Sequence, residues 1–334
     1  MQAMTSHIAV VGGGSFGTAL AVLAAQAGNS VRLFARDPAV VMGINRDHEN
    51  AAHLANIALP KAITATTDMA ALEGATALLV VVPAQQLRQV VSALQASLSD
   101  PVPLVICAKG IETGSGLLMS EVAAEVLPNW PLAVLSGPSF AAEAARGQPT
   151  AVTLAADDIG RAQRLSESLA SSHFRPYSSS DIVGVEVCGA VKNIIAIAAG
   201  VAAGLGFGAN TQAALITRGL AEISRLAAAL GGQSDTMTGL AGLGDLMLTC
   251  SSRQSRNTDF GYRIGSGQSV TEALGTGPLV EGAYSASAVL VRAEAVGVHM
   301  PIATAVDAVI NRKADLATTV ESLLTRPLRP ERDH

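Results

Sequence analysis

The feature that most constrains the fold is a glycine cluster set between two short apolar runs, "HIAVVGGGSFGTALAVLAAQAGNSVRLFARDP" at residues 7–38. Gly12, Gly14 and Gly17 are spaced G-x-G-x-x-G, after a stretch that reads as a strand and before one that reads as a helix. In that context Gly12 permits a tight turn, Gly14 lets a pyrophosphate come close to the backbone, and Gly17 lets the helix pack on the strand. Free N–H groups at the helix start then face the phosphates. The six letters alone would suit a glycine-rich surface turn; their flanks predict a dinucleotide-binding turn.

Further short apolar runs follow at 30–35 (SVRLFA), 77–82 (ALLVVV), 104–107 (LVIC), 132–135 (LAVL) and 151–155 (AVTLA). Strands buried on both faces have this form, and helical stretches such as 18–27 and 85–98 separate them. The alternation predicts an N-terminal Rossmann-type, doubly wound parallel sheet over residues 1–183. Beyond 181 only helical signals remain. Asp181 can cap a long helix running through Lys192, and a second runs over 211–230 with Arg218 and Glu222 spaced for an i,i+4 pair. Residues 184–334 are therefore expected to form an all-helical substrate-binding domain, with the polar tail "TRPLRPERDH" fraying.

A chain of 334 residues with 49% hydrophobic side chains can bury more than one core, which fits two domains. Aromatics are 3% and the net charge is -5, so base stacking and phosphate-backbone binding are both disfavoured and no nucleic-acid partner is expected. Cys107, Cys188 and Cys250 are far apart, with no C-x-x-C pair and no histidine at ligand spacing, so neither a metal site nor a disulfide framework is predicted. The opening "MQAMTSH" has no basic segment, and the apolar run after it breaks at Gly12. A cytoplasmic chain is the expectation. The uncharged stretch 194–209 falls short of the roughly 18–20 residues a membrane span requires and reads as a buried helix with its exit.

Arg36 stands at the end of the second strand, where an NAD-preferring site would place an acidic residue. An arginine there can receive a 2′-phosphate and favours NADP(H); the alternatives are that, with the register moved by one, Asp37 takes the ribose, or that Arg36 is a solvated surface cation. Ligands gather beyond the carboxyl ends of such strands, and there the sequence carries Pro83, Lys109, Gly137 and Ser139. In the helical half, Lys192 and Asn193 interrupt an apolar helix. Buried lysine needs a partner or a task, whereas a snorkelling lysine needs neither. Asp245 ends a glycine-rich turn, and Ser255-Arg256-Asn257 offers a guanidinium fork and neutral donors suited to a phosphorylated substrate.

The segments "GGGSFGTALA", "CAKGIE", "LSGPSFAAEAARGQPTAV", "GAVKNIIAIAAG", "NTQAALITRGLAEISRL", "TGLAGLGDLMLTCSSRQSRN" and "VEG" resemble, in order and spacing over residues 7–310, the bacterial NAD(P)-dependent glycerol-3-phosphate dehydrogenase family. The resemblance implies reversible reduction of dihydroxyacetone phosphate to sn-glycerol 3-phosphate, a phospholipid precursor, with NADP(H) or NAD(H). It implies Lys192 as the catalytic acid and base, and Lys109, Gly137, Ser139, Asp245, Ser255, Arg256 and Asn257 around the substrate. It further implies cofactor contacts from Ser15, Phe16, Arg36, Lys109, Ala141, Arg256, Leu279 and Glu281, beside the glycines. A homodimer is compatible with it. The chain departs from the family pattern at Gly13, where alanine is frequent, at Phe16, where tyrosine or tryptophan is common, and at Ala203, where aspartate is usual. A ketopantoate or 3-hydroxyacid reductase would share the architecture, but "SRN" after "GLGDL" argues against it. A non-enzymatic dinucleotide sensor leaves Lys192 without a role, and no histidine sits in a nucleophile motif as a hydrolase would need.

Overall fold

The computed structural model describes residues 6–275, 279–327 and 330–331, so the end of the tail expected to fray lies partly outside the described residues. Two compact units divide the chain, Met1–Lys109 with Met119–Ile182, and Gly110–Leu118 with Val183–His334.

The first unit is built on one sheet of β1 (His7–Val11), β2 (Ser30–Phe34), β3 (Ile63–Thr66), β4 (Ala77–Val80), β5 (Leu104–Ile106), β6 (Leu132–Ser136), β7 (Thr150–Ala156) and β8 (Phe174–Ser179). Their order is β3-β2-β1-β4-β5-β6-β7-β8, so the direction of winding reverses between β1 and β4 and the glycine turn after β1 lies at that reversal. Six parallel strands were expected from the apolar runs; the sheet has eight, and β7 and β8 run antiparallel to the rest. The two additional strands, "ITAT" and "FRPYSS", are the edges of the sheet. An edge strand is covered on fewer sides and tolerates proline, so neither carries the continuous apolar run that marks a central strand.

Helices α1 (Ser15–Gln26), α2 (Pro38–Met42), α3 (Leu87–Ser97), α4 (Met119–Val126), α5 (Ala141–Ala145) and α6 (Ile159–Leu169) complete this unit. Val10, Leu33, Leu79, Val105 and Leu135 from five neighbouring strands meet in its core. α1 buries every residue from Gly17 to Ala24, which explains its small, uncharged sequence.

The second unit contains α7 (Ile182–Gly204), α8 (Ala209–Ala229), α9 (Ser234–Thr238), α10 (Asp245–Ser251), α11 (Arg256–Gly265), α12 (Val270–Gly275), α13 (Glu281–Ala295), α14 (Pro301–Asn311) and α15 (Leu316–Leu324). Gly110–Leu118 belongs here, with Ile111 and Leu118 paired to each other and buried in the helical core. Chain order assigned that stretch to the first domain because it lies between two strands of the sheet; its apolar side chains are instead buried among helices.

Among the described residues α7 alone is long and apolar enough to cross a membrane, with a mean hydropathy of 1.8, yet 83% of that window is buried in the protein. It is the central helix of its unit. Close approach to α11 explains its small residues: a Cβ at Gly200 would lie 2.1 Å from Thr258 O, and one at Gly261 would lie 2.1 Å from Ile197 O. Glycines four apart on each helix (200 and 204, 261 and 265) let the two backbones touch, and this contact sets the start of α11 beside the middle of α7. Ala203, where the family usually has aspartate, lies next to the end of α7, and its carbonyl accepts from Gly206 N at 3.0 Å.

Glu222 of α8 does not make the expected pair with Arg218. Its buried carboxylate accepts from Ile302 N at 2.7 Å and Ala303 N at 3.3 Å, capping the N-terminus of α14. Burial outweighs these two bonds and the arginines nearby, and pushes its pKa from 4.5 up to about 7. The folded state thus holds this proton more tightly than the unfolded chain; the stabilisation is complete below the unfolded pKa and is lost as pH rises through the folded one. Glu222→Gln removes that slope. Thermal melts should show the variant gaining on wild type between about pH 5 and about pH 8. A constant difference over that range would contradict a protonated Glu222.

Candidate active site

In the first unit the glycine turn fits a dinucleotide by three observations. Gly12 has φ 127°, and a Cβ there would lie 2.2 Å from Val81 O, so only glycine makes this turn. A Cβ at Gly17 would lie 1.9 Å from Gly12 O, which keeps α1 tight against the turn. At Gly14 a Cβ would meet no atom within 4 Å, and no side chain caps the α1 N-terminus there. Open space beside uncapped helix N–H groups is what a pyrophosphate requires. Ser15 is exposed and donates its hydroxyl to His53 O at 2.6 Å, while Phe16 is partly buried against the sheet core.

At the end of β2, Asp37 has a structural role. Its carboxylate accepts from Ala39 N at 2.8 Å and caps α2, so it is committed to the helix. Arg36 is exposed and makes no hydrogen bond or ion pair among the described residues. Beyond β5 and β6, Lys109 Nζ donates to Gly137 O at 3.3 Å and Ser139 Oγ donates to the same carbonyl at 3.0 Å. Gly137, at φ 148°, leaves no room for a Cβ, which would lie 2.8 Å from Val152 Cα. Ala141 opens α5 two residues past Ser139.

In the second unit Lys192 lies in the buried middle of α7, with 8% of its side chain exposed. Snorkelling is therefore overturned. Its Nζ donates to Asp245 Oδ1 at 2.7 Å and to Thr249 Oγ1 at 2.9 Å. Thr249, one turn after Asp245 on α10, donates its own proton to Asp245 O at 2.6 Å, which leaves its lone pairs for the ammonium. Desolvation costs several kcal/mol per ion, and only a close, fully hydrogen-bonded pair offsets it. Neighbouring Cys250 is no competitor for proton transfer, because burial pushes its thiol up to about 12.

The triplet 255–257 opens α11. Ser255 is its N-cap and accepts from Thr258 N at 3.3 Å; Arg256 is exposed. Asn257 was expected among the substrate donors, but it already donates to Asn193 Oδ1 at 3.0 Å and accepts from Gly282 N at 2.9 Å. It ties α11 to α7 and to the start of α13, where Glu281 is the first residue; Leu279, two positions before it, is exposed. The sequence-predicted set thus divides, with Lys109, Gly137, Ser139 and most nucleotide residues in the first unit and Lys192, Asp245, Ser255, Arg256, Asn257, Leu279 and Glu281 in the second. Thr249 was not singled out, although its i+4 spacing from Asp245 was legible.

A doubly wound sheet with an open glycine turn, joined to a helical unit that buries a lysine–aspartate pair, defines a two-domain NAD(P)-dependent oxidoreductase. The comparisons narrow this. Residues 7–162 match the NAD-dependent glycerol-3-phosphate dehydrogenase N-terminus and residues 181–321 the corresponding C-terminus. A glycerol-3-phosphate dehydrogenase [NAD(P)+] of Rhodospirillum rubrum is 52% identical, over 99% of this chain and 95% of that protein. The crystal structure of a glycerol-3-phosphate dehydrogenase from Coxiella burnetii superposes with a TM-score of 0.91 at 40% identity, covering 96% of this chain and 99% of that one. A ketopantoate reductase from Ralstonia eutropha, at 17% identity and TM-score 0.61 over 92% and 97% of the two chains, shares the fold alone. The chain belongs to the NAD(P)-dependent glycerol-3-phosphate dehydrogenase family.

Proposed function

We propose that this protein reduces dihydroxyacetone phosphate reversibly to sn-glycerol 3-phosphate, with Lys192 as the proton donor to the C2 oxygen. The observation that carries the assignment of Lys192 is its buried ammonium, hydrogen-bonded to Asp245 and Thr249, in a chain of this family. A nicotinamide cofactor, when bound, supplies the hydride to C2. Lys192 polarises the carbonyl and gives a proton from Nζ to the oxygen as it becomes an alkoxide, leaving a neutral amine that regains its proton from solvent. Asp245 balances the ammonium charge in the resting site, and Thr249 fixes the direction of Nζ. Arg256 holds the phosphate from the first position of α11, while Ser255 and Asn257 act mainly by shaping the start of that helix. In the first unit Lys109, Ser139 and Ala141 stand where sheet ligands gather; cofactor contacts by Arg256, Leu279 and Glu281 are what the family resemblance implies. Three buried cysteines, none in a disulfide, suit a reducing compartment and support a cytoplasmic location.

Oxidation of NADPH and NADH should proceed with dihydroxyacetone phosphate and not with ketopantoate or other unphosphorylated 2-oxo acids. Turnover of the acids in preference to the phosphate would overturn the substrate assignment. We assign Arg36 to the 2′-phosphate, because Asp37 is committed to α2 and Arg36 is exposed. Arg36→Asp should raise the KM for NADPH by about tenfold or more, through loss of a hydrogen bond to a charged group and repulsion of a dianion, with a much smaller effect on NADH. Equal changes for the two cofactors would remove Arg36 from the nucleotide site.

A further inference from the structure

No motif marks the segment between α2 and β3, yet this segment grips the glycine turn. Asn50 is 1% exposed, and its amide donates to Gly13 O at 2.9 Å and to Thr18 Oγ1 at 2.8 Å. A second tie comes from the same segment, where His53 O accepts the Ser15 hydroxyl. Asn50 pairs with Leu54, and Leu54 and Ile57 pack with Ala19 of α1 and Ala145 of α5, so the segment is held firmly against α1.

The peptide between Gly13 and Gly14 is trans, so its carbonyl and its N–H point in opposite directions. With the Gly13 carbonyl held by Asn50, the Gly14 N–H is turned away from that contact, and it has no acceptor among the described residues. We propose that Asn50 is a positioning residue for the cofactor's pyrophosphate: by holding the Gly13 carbonyl it aims the Gly14 N–H at the phosphate oxygens. The proposal rests on reading the glycine turn as the pyrophosphate site.

The chemistry of the contact requires a donor. Gly13 O can only accept, so the nitrogen of Asn50 must face it, and a carboxylate there would offer acceptors alone. Holding the amide this way leaves Asn50 Oδ1 buried without a partner. Such an orphan acceptor lowers stability, and the orientation of the glycine turn is the gain that accounts for it.

The test compares wild type with Asn50→Asp, nearly isosteric but unable to donate when ionised, and reads the binding of ADP-ribose, which carries the pyrophosphate, and of adenosine, which does not. Wild type should bind ADP-ribose more tightly than adenosine. In Asn50→Asp the ADP-ribose Kd should rise by about tenfold or more, the scale of a lost hydrogen bond to a charged group. Adenosine affinity should stay within about twofold, and the KM for NADPH and NADH should rise with kcat little changed. Asn50→Ala, which introduces no buried charge, gives the same reading if the aspartate variant fails to fold. Unchanged ADP-ribose affinity in a wild type that prefers ADP-ribose would overturn the role of Asn50 alone. A parallel loss of both ligands in both variants would make Asn50 a general structural residue and overturn it equally. If wild type itself binds the two ligands alike, the pyrophosphate reading of the turn falls first and the role of Asn50 with it.

Discussion

Lys192→Met is expected to lower turnover by at least about 100-fold and up to about 10,000-fold, the range that general acid catalysis supplies. Methionine keeps the length and the helix propensity of the side chain but has no proton to give. The structure adds a second effect. Removing the ammonium takes from the Asp245 carboxylate, 2% exposed, the counter-charge that lies 2.7 Å away. Breaking a buried pair in this way costs about 3–5 kcal/mol, so the melting temperature should fall as well. NADPH binding to the glycine turn, followed by fluorescence, should change little. Lys192→Met combined with Asp245→Leu removes the stranded charge and should recover much of the stability with no recovery of turnover. A single variant that keeps more than about a tenth of wild-type turnover would lose less than general acid catalysis requires, and Lys109 would inherit the role.

Arg256→Ala should raise the KM for dihydroxyacetone phosphate by about tenfold to a hundredfold, equivalent to the 1.5–3 kcal/mol of a hydrogen bond to a charged group. The larger losses typical of a buried charge pair are not expected, because Arg256 is exposed and water screens its charge. The side chain makes no hydrogen bond or ion pair among the described residues, and Ser255 caps α11 without it. Melting temperature should therefore be unchanged. Some affinity for NADPH should also be lost, since Arg256 is assigned to the cofactor as well. At saturating NADPH, slow reduction of unphosphorylated dihydroxyacetone should be unaffected. An unchanged KM for the phosphorylated substrate would reduce the Ser255-Arg256-Asn257 triplet to a helix start.

Local physics made much of this protein readable from its sequence. G-x-G-x-x-G could be interpreted because the glycines and their strand and helix flanks lie in one short stretch, although the atom that bars a Cβ at Gly12 belongs to distant Val81; central strands declared themselves by burial on both faces. Lys192 stood out because a charge inside an apolar helix is costly wherever that helix lies. The same logic failed at the sheet edges: Ile63–Thr66 and Phe174–Ser179 are covered on fewer sides and need no apolar run.

Partnership was decided only by the tertiary structure. Lys192 meets Asp245 across 53 positions, Asn50 meets Gly13 across 37, and Glu222 caps a helix 80 residues away instead of pairing with Arg218 one turn before it. Likewise, Gly110–Leu118 leaves the sheet in mid-chain to bury Ile111 and Leu118 among helices. Periodicity and turn chemistry report what one segment demands of its surroundings. Which distant group meets that demand depends on how the elements pack, since a buried donor, acceptor or charge is satisfied by whatever partner the assembled core brings within about 3 Å.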